Sequence, residues 1–167
     1  AFSKLGMFDT PALNSMMREN DIDPKHIAQE KSAIFVVVSD TDRSMDTLVN
    51  VFFTQMMNEL CLFADTECPD QRLPIHMRFI MDDFATNCRI NEFPRMISSI
   101  RSRNISTMLL IQAESQLTSG YGDDDSTIIA NCDTYAYFGG NDIKTAEAVS
   151  KRCDRSFNEI IYMPTRK

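Results

Sequence analysis

The sequence of 167 residues has no long apolar run and no recognisable targeting signal at its start. No stretch approaches the roughly 18 to 20 consecutive apolar residues that a membrane-spanning helix requires. The first ten residues, AFSKLGMFDT, lack the basic and then apolar order of a signal peptide. They also lack an initiating methionine, so we expect the chain to be a piece of a longer protein.

Positive charge is scarce: the sequence has 17 Lys and Arg but 24 Asp and Glu, which gives a formal net charge of −7. Nonspecific binding of nucleic acid depends largely on Lys and Arg that displace counterions from phosphates. The composition therefore argues against a surface that binds nucleic acid through phosphates alone, and any contact with nucleic acid must be local.

Cysteine and glycine are few, and neither has the spacing of a metal or phosphate site. The cysteines form no C-x-x-C pair and have no histidine partner at zinc spacing, which predicts reduced thiols in the cytosol. They are Cys61, Cys68, Cys88, Cys132 and Cys153. The five glycines, at 6, 120, 122, 139 and 140, form no G-x-x-x-x-G-K-[ST] loop of the kind that cradles phosphates.

The composition that remains, 43% hydrophobic and 25% charged, is typical of one globular domain. The segment SAIFVVVSD is a continuous β-branched and aromatic run, typical of a strand covered on both faces in a parallel sheet. From Met45 to Phe63, apolar residues fall on one face of a predicted helix of about five turns. We interpret this stripe as core, although its methionines would also suit an adaptable surface.

Strands and helices continue to alternate toward the C-terminus. The predicted strands are Met77–Met81, Thr107–Ile111, Thr134–Phe138 and Ile160–Tyr162. The predicted helices are Phe93–Ser102, short helices between Ser115 and Cys132, and Ile143–Arg152. This alternation predicts an α/β fold with a mostly parallel sheet, helices on both faces and right-handed crossovers. Residues 1–30 precede it as a helical or irregular lead-in.

Two aspartates stand directly after one predicted strand. In open parallel sheets, ligands bind outside the carboxyl ends of the strands, and Asp82 and Asp83 follow Met77–Met81. One such carboxylate can hold Mg²⁺ beside nucleotide phosphates, and a second can orient and deprotonate a water molecule. Alternatively, the pair only closes the strand, because Asp is common in turns and helix caps.

A glutamine and a group of arginines surround the next strand. Gln112 follows TMLLI and can hydrogen-bond a nucleophilic water and a phosphate oxygen, or merely satisfy loop backbone. Arg95, Arg101 and Arg103 precede this strand. They are either solvated helix surface or a source of an arginine that reaches across a subunit boundary to stabilise charge.

These residues together carry a resemblance to a known family. The sequence contains, in this order, an apolar strand followed by D-[DE]-F-A, an R-x-R-x-I-S step and a Q-x-x-S-Q-L strand end. The dipeptide Y-G and the motif I-x-N-C come after them. In these features the sequence resembles the type IV coupling proteins of conjugation, which are membrane-anchored ATPases that deliver DNA to a secretion channel. The resemblance extends over nearly all of residues 30–163.

The resemblance implies that residues 31–167 are the C-terminal part of a RecA-like, P-loop ATPase domain. Residues 1–30 would then be the end of an all-helical insert, with the phosphate-binding Walker A loop upstream of that insert. ATP and Mg²⁺ would be the cofactors of the full-length protein. The fragment alone is expected to be inactive and to bind neither tightly.

The resemblance also implies roles for individual residues. Asp82 would hold the magnesium ion as part of the Walker B strand. Asp83, where the family usually has Glu, would position the attacking water. Gln112 would sense the terminal phosphate. Arg101, with Arg103 as the alternative, would act as a finger inserted into the neighbouring subunit's site.

The partners implied by the resemblance are a ring of identical subunits, a DNA or nucleoprotein substrate, relaxosome proteins and the secretion channel. The fragment itself is expected to be monomeric. The expected location is the cytoplasmic side of a bacterial inner membrane to which the whole protein is anchored, and Arg89 and Arg95 are candidates for DNA contact. Two alternatives stay open: another RecA-like ring translocase, and a noncatalytic domain that docks secretion substrates or the relaxosome.

Overall fold

The computed structural model describes residues 11–16, 18, 21–39, 43–87 and 89–153. The helices before the sheet are α1 (Pro11–Met16), α2 (Pro24–Ile27) and α3 (Asp46–Glu67). Strand β1 (Met77–Met81), helices α4 (Phe84–Asn87) and α5 (Phe93–Ile100) and strand β2 (Ile105–Leu109) follow. The chain continues through α6 (Glu114–Tyr121), α7 (Asp125–Ala130) and α8 (Ile143–Cys153). Within these ranges, no helix is both long enough and apolar enough to cross a membrane.

The two strands form a parallel sheet, so the predicted α/β class and parallel pairing are confirmed. Met77 pairs with Ile105 and Met81 with Leu109, and α4 and α5 lie in the connection between the strands. β1 has the predicted bounds, whereas β2 lies two residues earlier than predicted. The reason is Asn104, whose left-handed backbone (φ 65°) ends the preceding 3-10 turn and releases Ile105 into the strand.

The helices pack on the face of the sheet that carries Phe79. One buried cluster contains the end of β1: Met57, Met81, Phe84, Ile90, Phe93, Met96, Ile97, Leu117, Tyr121 and Ile128. A second contains the start of β2: Ala28, Met56, Leu60, Phe63, Ala64, Leu73, Ile100 and Ile105. Helix α3 supplies residues to both clusters. The predicted core stripe is confirmed in its C-terminal half, while Met45 at its start is exposed.

The opposite face of the sheet has no cover from the residues that the structure describes. Ile80 and Met108 pair across the strands there and are 67% and 51% exposed. The prediction of helices on both faces is therefore wrong for this part of the chain. Side chains alternate along a strand, and the residues of β1 and β2 that join the buried clusters all lie on the other face.

Two predicted strands are wrong. Residues 31–39 and 134–140 have no regular structure, and Phe35 and Val37 are 89% and 95% exposed. Both runs have strand-like composition, but a strand exists only where a neighbour pairs with its backbone, and neither run pairs with β1 or β2. The predicted strand Ile160–Tyr162 lies outside the described residues.

The predicted helices are all present, with adjusted ends. α3 extends to Glu67 rather than Phe63, and α5 ends at Ile100, where a 3-10 turn takes over. The described cysteines, Cys61, Cys68, Cys132 and Cys153, are free thiols, and Cys88 lies outside the described residues.

Candidate active site

The loops that follow β1 and β2 meet at the carboxyl edge of the sheet. The Leu110 N–H donates a hydrogen bond to the Met81 carbonyl (2.9 Å), and the Phe84 N–H donates to the Leu110 carbonyl (3.1 Å). Backbone pairing thus continues one step beyond the strands. The turn at Asp82 and Asp83 is thereby held beside the loop that contains Gln112.

Asp83 and Gln112 are in direct contact. The Gln112 Nε2 donates a hydrogen bond to the Asp83 Oδ1 at 3.1 Å. Asp83 is half-buried, and its φ of 46° lies in the left-handed region, which Asp tolerates better than most residues. The structure therefore brings together two of the residues that the sequence analysis assigned to one site.

Asp82 is exposed, and its Oδ1 accepts a hydrogen bond from the Asp83 N–H at 3.1 Å. This contact suits a turn residue, but it leaves the second carboxylate oxygen available at the strand end. In the described ranges, no three acidic, His or Cys side chains converge on a metal site. Mg²⁺ is commonly held by one or two carboxylates together with substrate phosphates. Asp82 therefore fits a magnesium ion that arrives with a nucleotide.

Gln116 also belongs to this site, and the sequence analysis did not single it out. Its Oε1 accepts a hydrogen bond from the Gln112 N–H at 3.0 Å, which fixes the loop after β2. Gln116 is the third residue of α6, where a Gln or Glu side chain commonly folds back onto backbone N–H groups before the helix. That position within Q-x-x-S-Q-L was the signal available in the sequence.

Helix α8 holds the same loop from its other side. Thr145 is buried, and its hydroxyl accepts a hydrogen bond from the Glu114 N–H (3.0 Å) and donates one to Asp142 Oδ2 (2.6 Å). The Glu114 carboxylate forms an ion pair with Arg152. The Arg152 guanidinium lies over the Tyr135 ring, 4.8 Å from its centroid. Burial, followed by the hydrogen bond with Glu114, raises the pKa of Tyr135 to about 12.

Arg101 and Arg103 lie before β2, at the opposite edge of the sheet from Asp83. Arg103 is bidentate with Asp65, with Nε to Oδ1 at 2.8 Å and Nη2 to Oδ2 at 2.7 Å. The Arg101 side chain is 85% exposed, and its nearest partner is Asp133 at 3.5 Å. Five strand residues of about 3.3 Å each separate this edge from the other. The structure therefore does not bring either arginine to Asp83 within one chain.

The other arginines that the sequence singled out differ in their surroundings. Arg95 is exposed on α5. The Arg89 guanidinium lies over the Tyr121 ring, 5.7 Å from its centroid, and follows α4 on the carboxyl side of the sheet. Of the arginines that the sequence singled out, Arg89 is therefore the one that lies near the loops after β1 and β2.

Comparison with known proteins relates part of the chain to a protein family. A protein-family model described as the TraM recognition site of TraD and TraG matches residues 76–155, from the start of β1 to the end of α8. No curated protein and no solved structure matches the chain. The match supports a relation to the C-terminal region of conjugation coupling proteins, which confirms the resemblance at this coarser level.

Proposed function

We propose that these residues form the Walker B and sensor part of a RecA-like ATPase motor in a conjugation coupling protein. The whole protein would deliver DNA or nucleoprotein to a type IV secretion channel. The observation that carries this proposal is the hydrogen bond between Asp83 and Gln112, at the carboxyl ends of adjacent parallel strands. Ligands of open parallel sheets bind at this edge, and the pair lies within the residues that match the family model.

Each of the three side chains at this edge, Asp82, Asp83 and Gln112, has a distinct task in this proposal. Asp82 would hold the Mg²⁺ that accompanies ATP, and this ion would neutralise phosphate charge. Asp83 would accept a proton from the attacking water, and its Oδ2 is the oxygen for that proton because Gln112 occupies Oδ1. The amide of Gln112 has a second N–H and a carbonyl oxygen, which can contact a phosphate oxygen and the water. The phosphate-binding loop would lie outside these 167 residues.

The arginine finger would act between subunits of a ring. Arg101 suits this task better than Arg103, because its guanidinium is largely exposed while that of Arg103 is clamped by Asp65. Its position at the amino edge of the sheet leaves only the site of a neighbouring subunit within reach of such a role.

A second candidate function is docking of a relaxosome protein without catalysis. The specific observation in its favour is the family description, which names recognition of TraM over residues 76–155. A docking surface needs no carboxylate that can accept a proton. The two functions therefore differ in their dependence on Asp83.

The test compares Asp83→Asn with the unmutated full-length coupling protein. The amide keeps the shape but cannot accept the proton, so we expect nucleotide binding to persist while turnover falls by about 10²- to 10⁴-fold. Asp82→Asn should also weaken magnesium-dependent nucleotide binding. Asp70→Asn is the matched control, because Asp70 is an exposed aspartate with a left-handed backbone (φ 57°) away from this edge.

The outcomes separate the two candidates. Loss of turnover in Asp83→Asn but not in Asp70→Asn supports the motor. If Asp83→Asn hydrolyses ATP at the unmutated rate, Asp83 is only a turn residue, and the motor assignment rests on Gln112 and Arg101. If the unmutated full-length protein binds TraM but has no ATPase activity, docking is the better description of its function.

A further inference from the structure

An open cavity of about 490 Å³ lies beside the Asp83–Gln112 pair, between the start of α3, helix α4 and helix α6. Gln116 connects the two features, because it lines the cavity and also binds the Gln112 backbone. Helices α4 and α6 approach closely at its wall, where a Cβ on Gly120 would lie 3.7 Å from the Ala85 carbonyl oxygen. The cavity is therefore built from elements that the core already fixes.

The described residues that line this cavity carry a charge opposite in sign to that of the whole protein. Of the described residues that line it, two are arginines, Arg43 and Arg89, and one is a carboxylate, Asp46, in a chain whose net charge is −7. Asp46 stands in the first turn of α3, where the helix dipole stabilises a negative charge. Within the described ranges, neither arginine forms an ion pair. Both guanidinium groups thus retain hydrogen-bond donors for a ligand.

Apart from Ala85 and Gly120, the remaining described lining residues are polar and offer hydrogen-bond donors. Thr47, Thr86 and Ser119 contribute hydroxyl groups, and Asn50 contributes an amide. The Asn50 Oδ1 accepts a hydrogen bond from the Thr54 hydroxyl at 3.2 Å, which directs the Nδ2 donors to other partners. Among the described residues of the lining there is no aromatic or large aliphatic side chain. A nucleobase would therefore find no surface on which to stack.

We propose that this cavity binds a phosphate ester, whose oxygens lie between the guanidinium groups of Arg43 and Arg89. Arginine presents planar donors that match phosphate oxygens, and the surrounding hydroxyl groups and amide supply further donors. The phosphate belongs either to a DNA backbone or to a small phosphorylated molecule, since both present the same oxygens. The inference goes beyond the proposed motor, because it requires no hydrolysis and no residue of the Asp83–Gln112 pair.

The test is an NMR titration of this 167-residue chain with three separate probes: inorganic phosphate, tripolyphosphate and a short oligothymidylate. We expect the amide signals of Thr47, Ser119 and Gly120 to shift, with a dissociation constant for tripolyphosphate between about 0.1 and 1 mM. Arg43→Gln should weaken binding about tenfold, the effect of losing one charge-assisted contact. Arg43 is exposed in the turn before α3 and is no part of either buried cluster, so this variant should fold.

The matched control is Arg95→Gln, which removes the same charge from α5 outside the cavity lining. Its affinity should equal that of the unmutated chain. Equal weakening by both variants, or shifts spread over the whole surface, would overturn the proposal, as would the absence of any shift. Tighter binding of the oligothymidylate at equal phosphate concentration identifies DNA as the source, and tighter binding of tripolyphosphate identifies a small molecule.

Discussion

Asp83 combines a left-handed backbone with a side chain that is anchored by the neighbouring loop. A left-handed conformation costs roughly 1 to 2 kcal/mol for most residues and less for Asp, whose short side chain can form local hydrogen bonds. The Asp83 φ of 46° turns the chain sharply after β1, and Gln112 then fixes one carboxylate oxygen. Such conformations cluster at functional sites, which supports a role beyond closing the strand.

The identity of the acidic residue at position 83 gives a further test of the motor. In the full-length protein, Asp83→Glu restores the carboxylate reach usual in the resembling family, so we expect turnover to persist or rise. The longer side chain is less favourable at a φ of 46°, and we expect a loss of about 1 kcal/mol in unfolding free energy at most. Steady-state ATPase assays and urea unfolding measure the two effects. A loss of turnover as large as in Asp83→Asn would contradict the reach argument.

Replacement of Arg103 should destabilise the protein more than replacement of Arg101, although the two residues are close in sequence. Arg103→Ala removes a bidentate contact with Asp65 that ties the turn before β2 to α3. We expect this change to lower the unfolding free energy by about 1 kcal/mol, the upper end for partly exposed ion pairs. Arg101→Ala is the control, and its effect should stay within about 0.5 kcal/mol. Equal unfolding midpoints of the two variants in urea would contradict this assignment.

At the scale of elements, α8 and α6 form one unit with the loop after β2. Thr145, Glu114 and Arg152 join the two helices through a backbone contact and an ion pair. Gln116 fixes the same loop from within α6. The loop that contains Gln112 is therefore held by α6 on one side and by α8 on the other, so α8 contacts the candidate active site through this loop.

The Tyr135 phenol provides a pH test of this connection. Burial and the hydrogen bond with Glu114 raise its pKa to about 12 in the folded protein, compared with an ordinary value of 10. The folded state then binds more protons than the unfolded state between these values, so the unfolding free energy should fall as pH rises from about 10 to about 12. Tyr135→Phe should remove this part of the slope. Urea unfolding at several pH values measures it, and an unchanged slope in the variant would show that Tyr135 is not responsible.

Elements were predictable from the sequence where local pattern and tertiary context agree. β1 carries alternating burial and ends at two aspartates, and α5 is strongly amphipathic, so both were found with nearly correct bounds. The runs at 31–39 and 134–140 have apolar composition but no pairing neighbour, which composition alone cannot reveal. The general location of Asp83 and Gln112 followed from strand ends. The contacts of Gln116 and Thr145 did not, because they depend on how helices pack.

At the scale of the whole molecule, two forces oppose each other in self-association. Ile80 and Met108 expose an apolar pair on the open face of the sheet, which favours association. A pair of side chains falls far short of the roughly 1,000 Å² that a specific interface buries, and association costs about 4 to 15 kcal/mol in lost freedom of motion. The net charge of −7 adds repulsion between copies. Charge repulsion and the entropic cost of association should therefore outweigh the apolar attraction and keep the isolated chain from associating stably.

The isolated chain should accordingly be monomeric or weakly associating at micromolar concentration. Light scattering at low salt should give the mass of a single 19.1 kDa chain. Raising the salt concentration screens the repulsion, so any association should increase with salt. A stable hexamer under these conditions would show that the residues present already form a complete ring interface.

Binding of ATP by the isolated chain is the decisive measurement for where the phosphate site lies. The described residues offer the Asp82 carboxylate at the strand end, and the five glycines of the sequence form no phosphate-cradling loop. Calorimetry with magnesium and ATP should therefore show no dissociation constant below roughly 10 µM, which corresponds to about −7 kcal/mol. Weaker heat that disappears in Arg43→Gln would come from the cavity beside α3. Tight binding that persists in Arg43→Gln but is lost in Asp82→Asn would mean that this chain carries a nucleotide site of its own. The idea that the essential phosphate-binding loop lies outside this chain would then be wrong.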